Sequence, residues 1–343
     1  MRAAVMRDEK IVVDTVPDPE PRTGEALVRT LACGICGSDL HALKHADLMA
    51  EANREAGVPS VMDPHRDIIM GHEFCVEVLD YGSDTAHRLP AGTRAVCVPI
   101  LVRPPAIYAL GYSNDVPGGY AERMVLAEPL LLPVPDGLAA EKAALTEPMA
   151  VGVHAVAKSG ATERDSAIVI GCGPVGLAVI AALRLRNVEP IIAADFSPMR
   201  RKLAQLQGAH VVMDPSEGSA FTAWSEQSRT RPPLVFECVG VPGVVQSIIK
   251  EAPPQTRITV VGVSMEEDRF KPMIAIVKEL SLQFCLGYSV EEFAQTLAAI
   301  ADGTIDVEPM ITGRVGLDAV ADAFNELAQP DRHAKILIDP SVL

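Results

Sequence analysis

Two groups of residues in this chain have the types and spacing to do chemistry. The first is Cys33-Gly-Ile-Cys36 together with Gly71-His72-Glu73. A thiolate, an imidazole and a carboxylate are donors that a catalytic zinc ion takes from a protein, three at a time, leaving one position for water or substrate. Asp39 has the chemistry to orient the His72 ring from behind, as a hydrogen-bond acceptor. A Cys-x-x-Cys pair also suits a redox site or half of a four-cysteine zinc knuckle. The flanks do not read as a thioredoxin unit, however, and the chain has no second Cys-x-x-Cys. Spacing alone does not bring Cys36 and His72 together. A core histidine and a buried small hydrophobe are the alternative readings.

The second group is Gly171-Cys-Gly173-Pro174-Val175-Gly176, placed where an apolar run ends and a helical pattern begins. Glycines at these positions permit a tight turn, close approach of a pyrophosphate, and close packing of helix on strand. The helix N-terminus offers free N–H groups to phosphate, and Pro174 is tolerated there because a first-turn residue has no N–H bond to lose. Asp195 closes the next apolar run about 20 positions on, where an acid accepts bonds from the adenosine ribose and repels a 2′-phosphate. This favours NAD over NADP, although Arg200 and Arg201 lie close enough in sequence to work against the preference. The alternative is a glycine-rich turn that merely packs.

The elements that must position these groups change character along the chain. Glu25–Ala32, Phe74–Leu79 and Ala95–Ile100 read as strands in a β-rich, irregular N-terminal region, with branched and aromatic residues suited to a pleated surface. Ala46–Ala56 reads as a helix stopped by Gly57, inside a long segment, 42–67, between the first two strands. From Ser166 the pattern alternates. Ala167–Ile170, Ile191–Ala194, Val211–Met213, Leu234–Cys238, Ile258–Val261 and Leu280–Leu286 have strand length, and Val175–Arg186 and Pro198–Gln207 suit helices. Such alternation implies a parallel sheet with right-handed crossovers. Val290–Ala301 and Leu317–Ala328 read as helices, and Ala334–Asp339 as a final strand.

Composition narrows the classes. Thirty Lys+Arg against 45 Asp+Glu give a formal charge of −15, which argues against a nucleic-acid partner. The 48% hydrophobic content excludes a disordered chain, and the length suggests two domains. The longest apolar stretch, Ala167–Leu183, is 17 residues with a glycine motif inside it, short of a membrane span of ~20. Charged residues soon after Met1 interrupt any secretory leader, and seven scattered cysteines do not suggest a disulfide framework. A cytoplasmic protein is expected.

Taken in order, Cys33-Gly-Ile-Cys-Gly-Ser-Asp-Leu-His41, Gly71-His-Glu73, Gly118-Gly-Tyr-Ala-Glu122, Glu147-Pro-Met-Ala-Val151 and the Gly171–Gly176 turn give the chain a resemblance to the zinc-dependent medium-chain dehydrogenases, running essentially end to end. It is most similar to the sorbitol, threonine and secondary-alcohol branches. Phe236-Glu-Cys-Val-Gly240, Gly262-Val263 and Gly287-Tyr288-Ser289 extend the likeness. The resemblance implies an α/β protein: a GroES-like catalytic domain from residues 1–148 and 287–343, and a Rossmann domain over 149–286. It implies one catalytic zinc on Cys36, His72 and Glu147, with Glu73 an alternative ligand or a base behind the metal. It implies that Ser38 takes the substrate proton and His41 passes it on. Gly171, Gly173, Val175 and Gly176 would cradle pyrophosphate, Val239, Val263, Cys285 and Gly287 would lie near the nicotinamide, and Lys335 would meet a phosphate. A homo-oligomer, dimer or tetramer, is also implied.

Two departures from the family pattern stand out. The region from Cys97 to Gly118 contains only one cysteine, Cys97 itself, so a four-cysteine structural zinc is not expected. The segment between Cys36 and His72 is long, and its extra helix is expected to border the substrate cleft. The expected reaction is hydride transfer between a secondary alcohol or polyol, or its ketone, and NAD(H). The rivals are a zinc-free reductase of activated double bonds and a non-catalytic NAD(H)-binding module. A short-chain dehydrogenase is disfavoured because no Tyr-x-x-x-Lys occurs.

Overall fold

The computed structural model describes residues 1–227 and 231–342. The N-terminal part opens with a hairpin of β1 (Arg2–Arg7) and β2 (Lys10–Thr15). Then come β3 (Glu25–Gly34), α1 (Gly37–Glu55), β4 (Glu73–Tyr81), β5 (Arg94–Cys97), β6 (Ile100–Arg103), β7 (Ala106–Ala109), β8 (Arg123–Ala127) and β9 (Leu131–Pro133). Helices α2 (Ala140–Ala144) and α3 (Thr146–Lys158) lead into the alternating region. There β10 (Ala167–Ile170), α4 (Pro174–Leu185), β11 (Ile191–Ala194), α5 (Pro198–Leu206), β12 (Val211–Met213) and α6 (Ala220–Gln227) form the first half. The second half is β13 (Leu234–Glu237), α7 (Val244–Glu251), β14 (Arg257–Val260), α8 (Pro272–Val277) and β15 (Ser281–Phe284). The tail is α9 (Val290–Ala301), β16 (Ile311–Val315), α10 (Val320–Leu327) and β17 (Lys335–Ile338).

The alternating region forms a six-stranded parallel sheet in the order β12-β11-β10-β13-β14-β15. All four residues of β11 and of β13 are buried, as expected of strands covered by helices on both faces. Strand order reverses between β10 and β13, and an open α/β sheet binds its ligand in the crevice at such a point.

A second sheet runs β16-β17-β3-β4-β5-β9, with β8 also on β3. Antiparallel pairing of Leu337 with Gly34 and of Ile338 with Cys33 brings the C-terminal strand back beside the strand that carries the cysteine motif. This is the GroES-like domain, built from both ends of the chain. Helix α9 packs against α2 and α3. Its Phe293, Leu297 and Ile300 pack in the same core as Leu177 and Val179 of α4. Among the described residues, no helix is long and apolar enough to cross a membrane.

Two local expectations differ from the structure. The strand expected over Ala95–Ile100 is broken: β5 stops at Cys97, and β6 and β7 form a separate hairpin. Pro99 lies at the break and has no N–H for a ladder. The helix expected from Ala46 starts nine residues earlier, at Gly37, and continues through a kink at His45 (φ −137°, ψ 36°). Gly37 and Ser38 are weak helix formers, which hid the start; a reciprocal cap between Cys36 and Asp39 supplies the missing stability. The extra segment is therefore no independent insert. It extends the helix that begins at the cysteine, and its Ala46 and Ala50 are buried.

Candidate active site

Pairing of β3 with β4 sets Gly34 opposite Glu73 and Cys33 opposite Phe74, so Cys36, just past one strand, meets His72, just before the other. Donor atoms of Cys36, His72 and Glu73 lie within 4.8 Å of one another. Cys36 is the residue just before α1. Burial pushes the thiols of Cys33, Cys75, Cys97, Cys172 and Cys238 up, which keeps them inert.

Asp39 organises the pocket floor. It is fully buried, and its Oδ2 accepts from the Tyr120 hydroxyl at 2.6 Å and the Cys36 N–H at 2.9 Å. Its Oδ1 lies 3.5 Å from His72 Nδ1 and 3.0 Å from the Tyr112 hydroxyl. Burial opposes its charge, but His72 and these donors hold the carboxyl below its usual range. His72 Nδ1 is otherwise a buried nitrogen without a hydrogen bond.

Glu73 is closed off differently. Lys335 Nζ donates to its two oxygens at 2.6 and 2.7 Å and to the Ile35 carbonyl at 3.0 Å. Gly34 makes room, because a β-carbon there would come within 2.0 Å of Glu73 Oε2. This arrangement corrects the expectation for Lys335. An ammonium has three protons, and all three are spent inside the protein, at 0% exposure, leaving none for a cofactor phosphate.

Glu147, in the first turn of α3, is also buried beside this cluster. Burial pushes its carboxyl up to about 7; Glu73 adds to the rise, while His72, the Tyr288 hydroxyl and Lys335 pull against it. Tyr288 donates to Glu147 Oε1 at 2.9 Å and stacks on Phe293 with ring centroids 5.3 Å apart. The thiol of Cys36, the imidazole of His72 and the Glu73 carboxyl, with the buried Glu147 carboxyl close enough to feel the charges of His72 and Glu73, form a donor set that fits Zn²⁺.

Ser38 and His41 follow on α1, one turn apart and on one face. Ser38 Oγ is 2.8 Å from the Tyr112 hydroxyl. Burial, then the charges of His45 and Lys44, hold the His41 pKa below its usual value. Tyr112 went unmarked in the sequence: it lies in the irregular stretch after β7, where no periodicity or motif points to it.

The glycine turn sits at the C-terminal edge of β10, beside the switch point. A β-carbon on Gly176 would come within 1.9 Å of the Gly171 carbonyl oxygen, which shows how closely α4 abuts the turn. Gly173 precedes α4 in extended conformation, Pro174 is its first residue, and Val175 packs on the core. Asp195, at the end of β11, accepts from the Cys172 N–H and the Ser197 N–H, both at 2.8 Å. Arg201 is committed to Asp214 and to the carbonyls of Asp195 and Phe196, all at 2.8 Å. Arg200 has a buried Nε without a partner and a guanidinium nitrogen 4.0 Å from the β-carbon position of Gly173. Of the two arginines, it is the one free to reach a cofactor.

Val239, Val263, Cys285 and Gly287 follow the ends of β13, β14 and β15, on the far side of the switch point. Glu237 Oε1 shapes this rim by accepting from Val239 N–H at 2.7 Å and Gly240 N–H at 2.9 Å. Tyr288, next to Gly287, is thus the bridge between the rim and the donor cluster.

A dinucleotide fold that closes on a metal centre carried by a separate β domain defines a metal-dependent dehydrogenase. Residues 22–136 match the alcohol dehydrogenase GroES-like domain and residues 174–302 the zinc-binding dehydrogenase family. The chain is 29% identical over 352 residues to (R,R)-butanediol dehydrogenase of Bacillus subtilis, covering 99% of this chain and 100% of that one. Sorbitol dehydrogenase of the same organism is 26% identical over 357 residues, covering 99% and 98%. The crystal structure of 2R,3R-butanediol dehydrogenase from Bacillus subtilis matches with a TM-score of 0.86 at 28% identity, over 99% of each chain. The chain belongs to the zinc-dependent medium-chain alcohol and polyol dehydrogenases.

Proposed function

We propose that this enzyme oxidises a secondary alcohol or polyol, or reduces the matching ketone, with NAD(H) as hydride partner. The observation that carries the reading is the Tyr288–Glu147 bond, which joins the dinucleotide rim to the donor cluster. Zinc, held by Cys36, His72 and a glutamate, supplies the Lewis acidity that lowers the proton affinity of an alcohol oxygen. NAD⁺, cradled by Gly171, Gly173, Pro174, Val175 and Gly176 with Asp195 toward the ribose and Arg200 beside the turn, supplies the hydride acceptor. Ser38 would accept a hydrogen bond from the substrate hydroxyl, and His41, half-buried one turn further along α1, would take the released proton toward solvent.

Charge supports Glu147 as the third ligand. Both Glu73 oxygens already face a buried ammonium, whereas Glu147 has only a phenol and needs a cation. Zinc stoichiometry decides it: Glu147→Gln should lose most of the metal and Glu73→Gln should keep it.

NADH formation at 340 nm over propan-2-ol, butane-2,3-diol and sorbitol tests the activity, and no turnover of any of them by zinc-replete protein refutes it. The zinc-free reductase is disfavoured because it has no use for this donor cluster. We divide the chain into residues 1–148 and 287–343 around a cofactor domain of 149–286, supported by the membership of the two sheets. We also place the enzyme in the cytoplasm as a homo-oligomer. β15 is an edge strand, and around it Met273, Ile276, Val277, Phe284 and Leu286 are each two-thirds or more exposed. A second copy pairing edge to edge would cover them. Sedimentation of Phe284→Lys should show a monomer.

A further inference from the structure

We propose that Tyr112 fixes the direction of the Ser38 hydroxyl, so that this serine meets a bound alcohol as an acceptor. The inference rests on the functional reading above and adds a residue to it.

The geometry allows one pattern of donors. Asp39 is surrounded by groups that give protons: the Tyr120 hydroxyl at 2.6 Å, the Cys36 N–H at 2.9 Å and the Tyr112 hydroxyl at 3.0 Å. A carboxylate only accepts, and a phenol has one proton. Once Tyr112 gives its proton to Asp39, its oxygen is left as an acceptor toward Ser38 Oγ, 2.8 Å away. Ser38 must then point its own proton at Tyr112. Its free lone pairs face away from that bond, ready for the O–H of an alcohol rather than the carbonyl oxygen of a ketone. Bonds that run in one direction polarise each other, so the acceptor strength of Ser38 rises as well. A serine without such a partner would share three staggered hydroxyl positions.

Tyr112 therefore acts through Ser38 as a positioning residue. Removing its hydroxyl leaves Asp39 with two donors, so the support behind His72 survives. The Tyr112 ring, whose centroid is 5.3 Å from that of His72, is retained in phenylalanine.

The test uses zinc-loaded Tyr112→Phe and the alcohol of the panel above that the wild type oxidises fastest, with its ketone. Turnover should fall about fivefold, the size of one lost hydrogen bond. By NADH fluorescence, the alcohol should bind the enzyme–NADH complex about fivefold more weakly. Ketone binding to the enzyme–NAD⁺ complex, read by quenching of protein fluorescence, should change less than about twofold. Zinc content and NADH affinity should hold. In a Ser38→Ala background, adding Tyr112→Phe should have no further effect on alcohol binding. Equal weakening of alcohol and ketone, loss of zinc, unchanged turnover, or a full effect without Ser38 each overturns the inference. A wild type inactive on every alcohol overturns the functional reading itself, and this inference with it.

Discussion

Lys335 holds its ammonium 2.6 and 2.7 Å from the two Glu73 oxygens, with both side chains at 0% exposure, so Lys335→Met would strip a buried carboxylate of its counter-charge. Removing one partner of a buried pair costs about 3–5 kcal/mol, most of it the penalty of a charge left without water or a partner. The Ile35 carbonyl, which accepts from the same ammonium at 3.0 Å, loses its bond too. Urea unfolding of zinc-stripped protein should show this loss. The double variant Glu73→Gln/Lys335→Met should recover more than half of it, because the orphaned charge is gone. Burial opposes the Lys335 charge, but Glu73 and then Cys36 raise its pKa overall. A raised folded-state value contributes stability that is fully present below the unfolded lysine pKa and is lost only as pH rises through the folded value. The difference between wild type and Lys335→Met should therefore stay flat from about pH 6 to 9. A single variant within about 1 kcal/mol of wild type would show that water reaches the pair and would refute the reasoning.

Cys36→Ser and His72→Ala should each release zinc and lower turnover more than about 100-fold while NADH still binds, checked by metal analysis and fluorescence titration. Asp195→Ala should shift the NAD-to-NADP efficiency ratio about 10-fold or more toward NADP; an unchanged ratio would show that this carboxylate does not meet the ribose. Glu25, which accepts from Arg103 at 2.6 and 2.8 Å, has its carboxyl lowered overall despite burial, which alone would raise it. Its contribution is present above the unfolded glutamate value and is lost as pH falls through the folded one. Glu25→Gln should then cost about 3 kcal/mol at pH 7 by urea unfolding, and less as the pH drops below about 4.

The cofactor domain was legible in the residues themselves. Runs such as Ile191–Ala194 lie buried on both faces of a parallel sheet, and the glycines of the 171–176 turn are required by contacts within a few residues, so local pattern and local structure coincide. Cys36 and His72 were legible as chemistry but not as neighbours. Only the antiparallel register of β3 on β4 brings them together. The start of α1 was hidden because its stability comes from a cap between Cys36 and Asp39 rather than from helix propensity. What tertiary structure alone decided was the set of partners behind the donors. Lys335 turned inward to Glu73 because β17 returns across some 300 residues of chain to lie beside β3. Tyr112 reached Ser38 and Asp39 from a stretch without any periodicity, and Tyr288 reached Glu147 across some 140 residues of chain. Hydrogen bonds and ion pairs of this kind depend on distances of about 3 Å between segments far apart in sequence. Composition and spacing encode what each side chain can do, and the packing of the two sheets determines which other side chain it does it with.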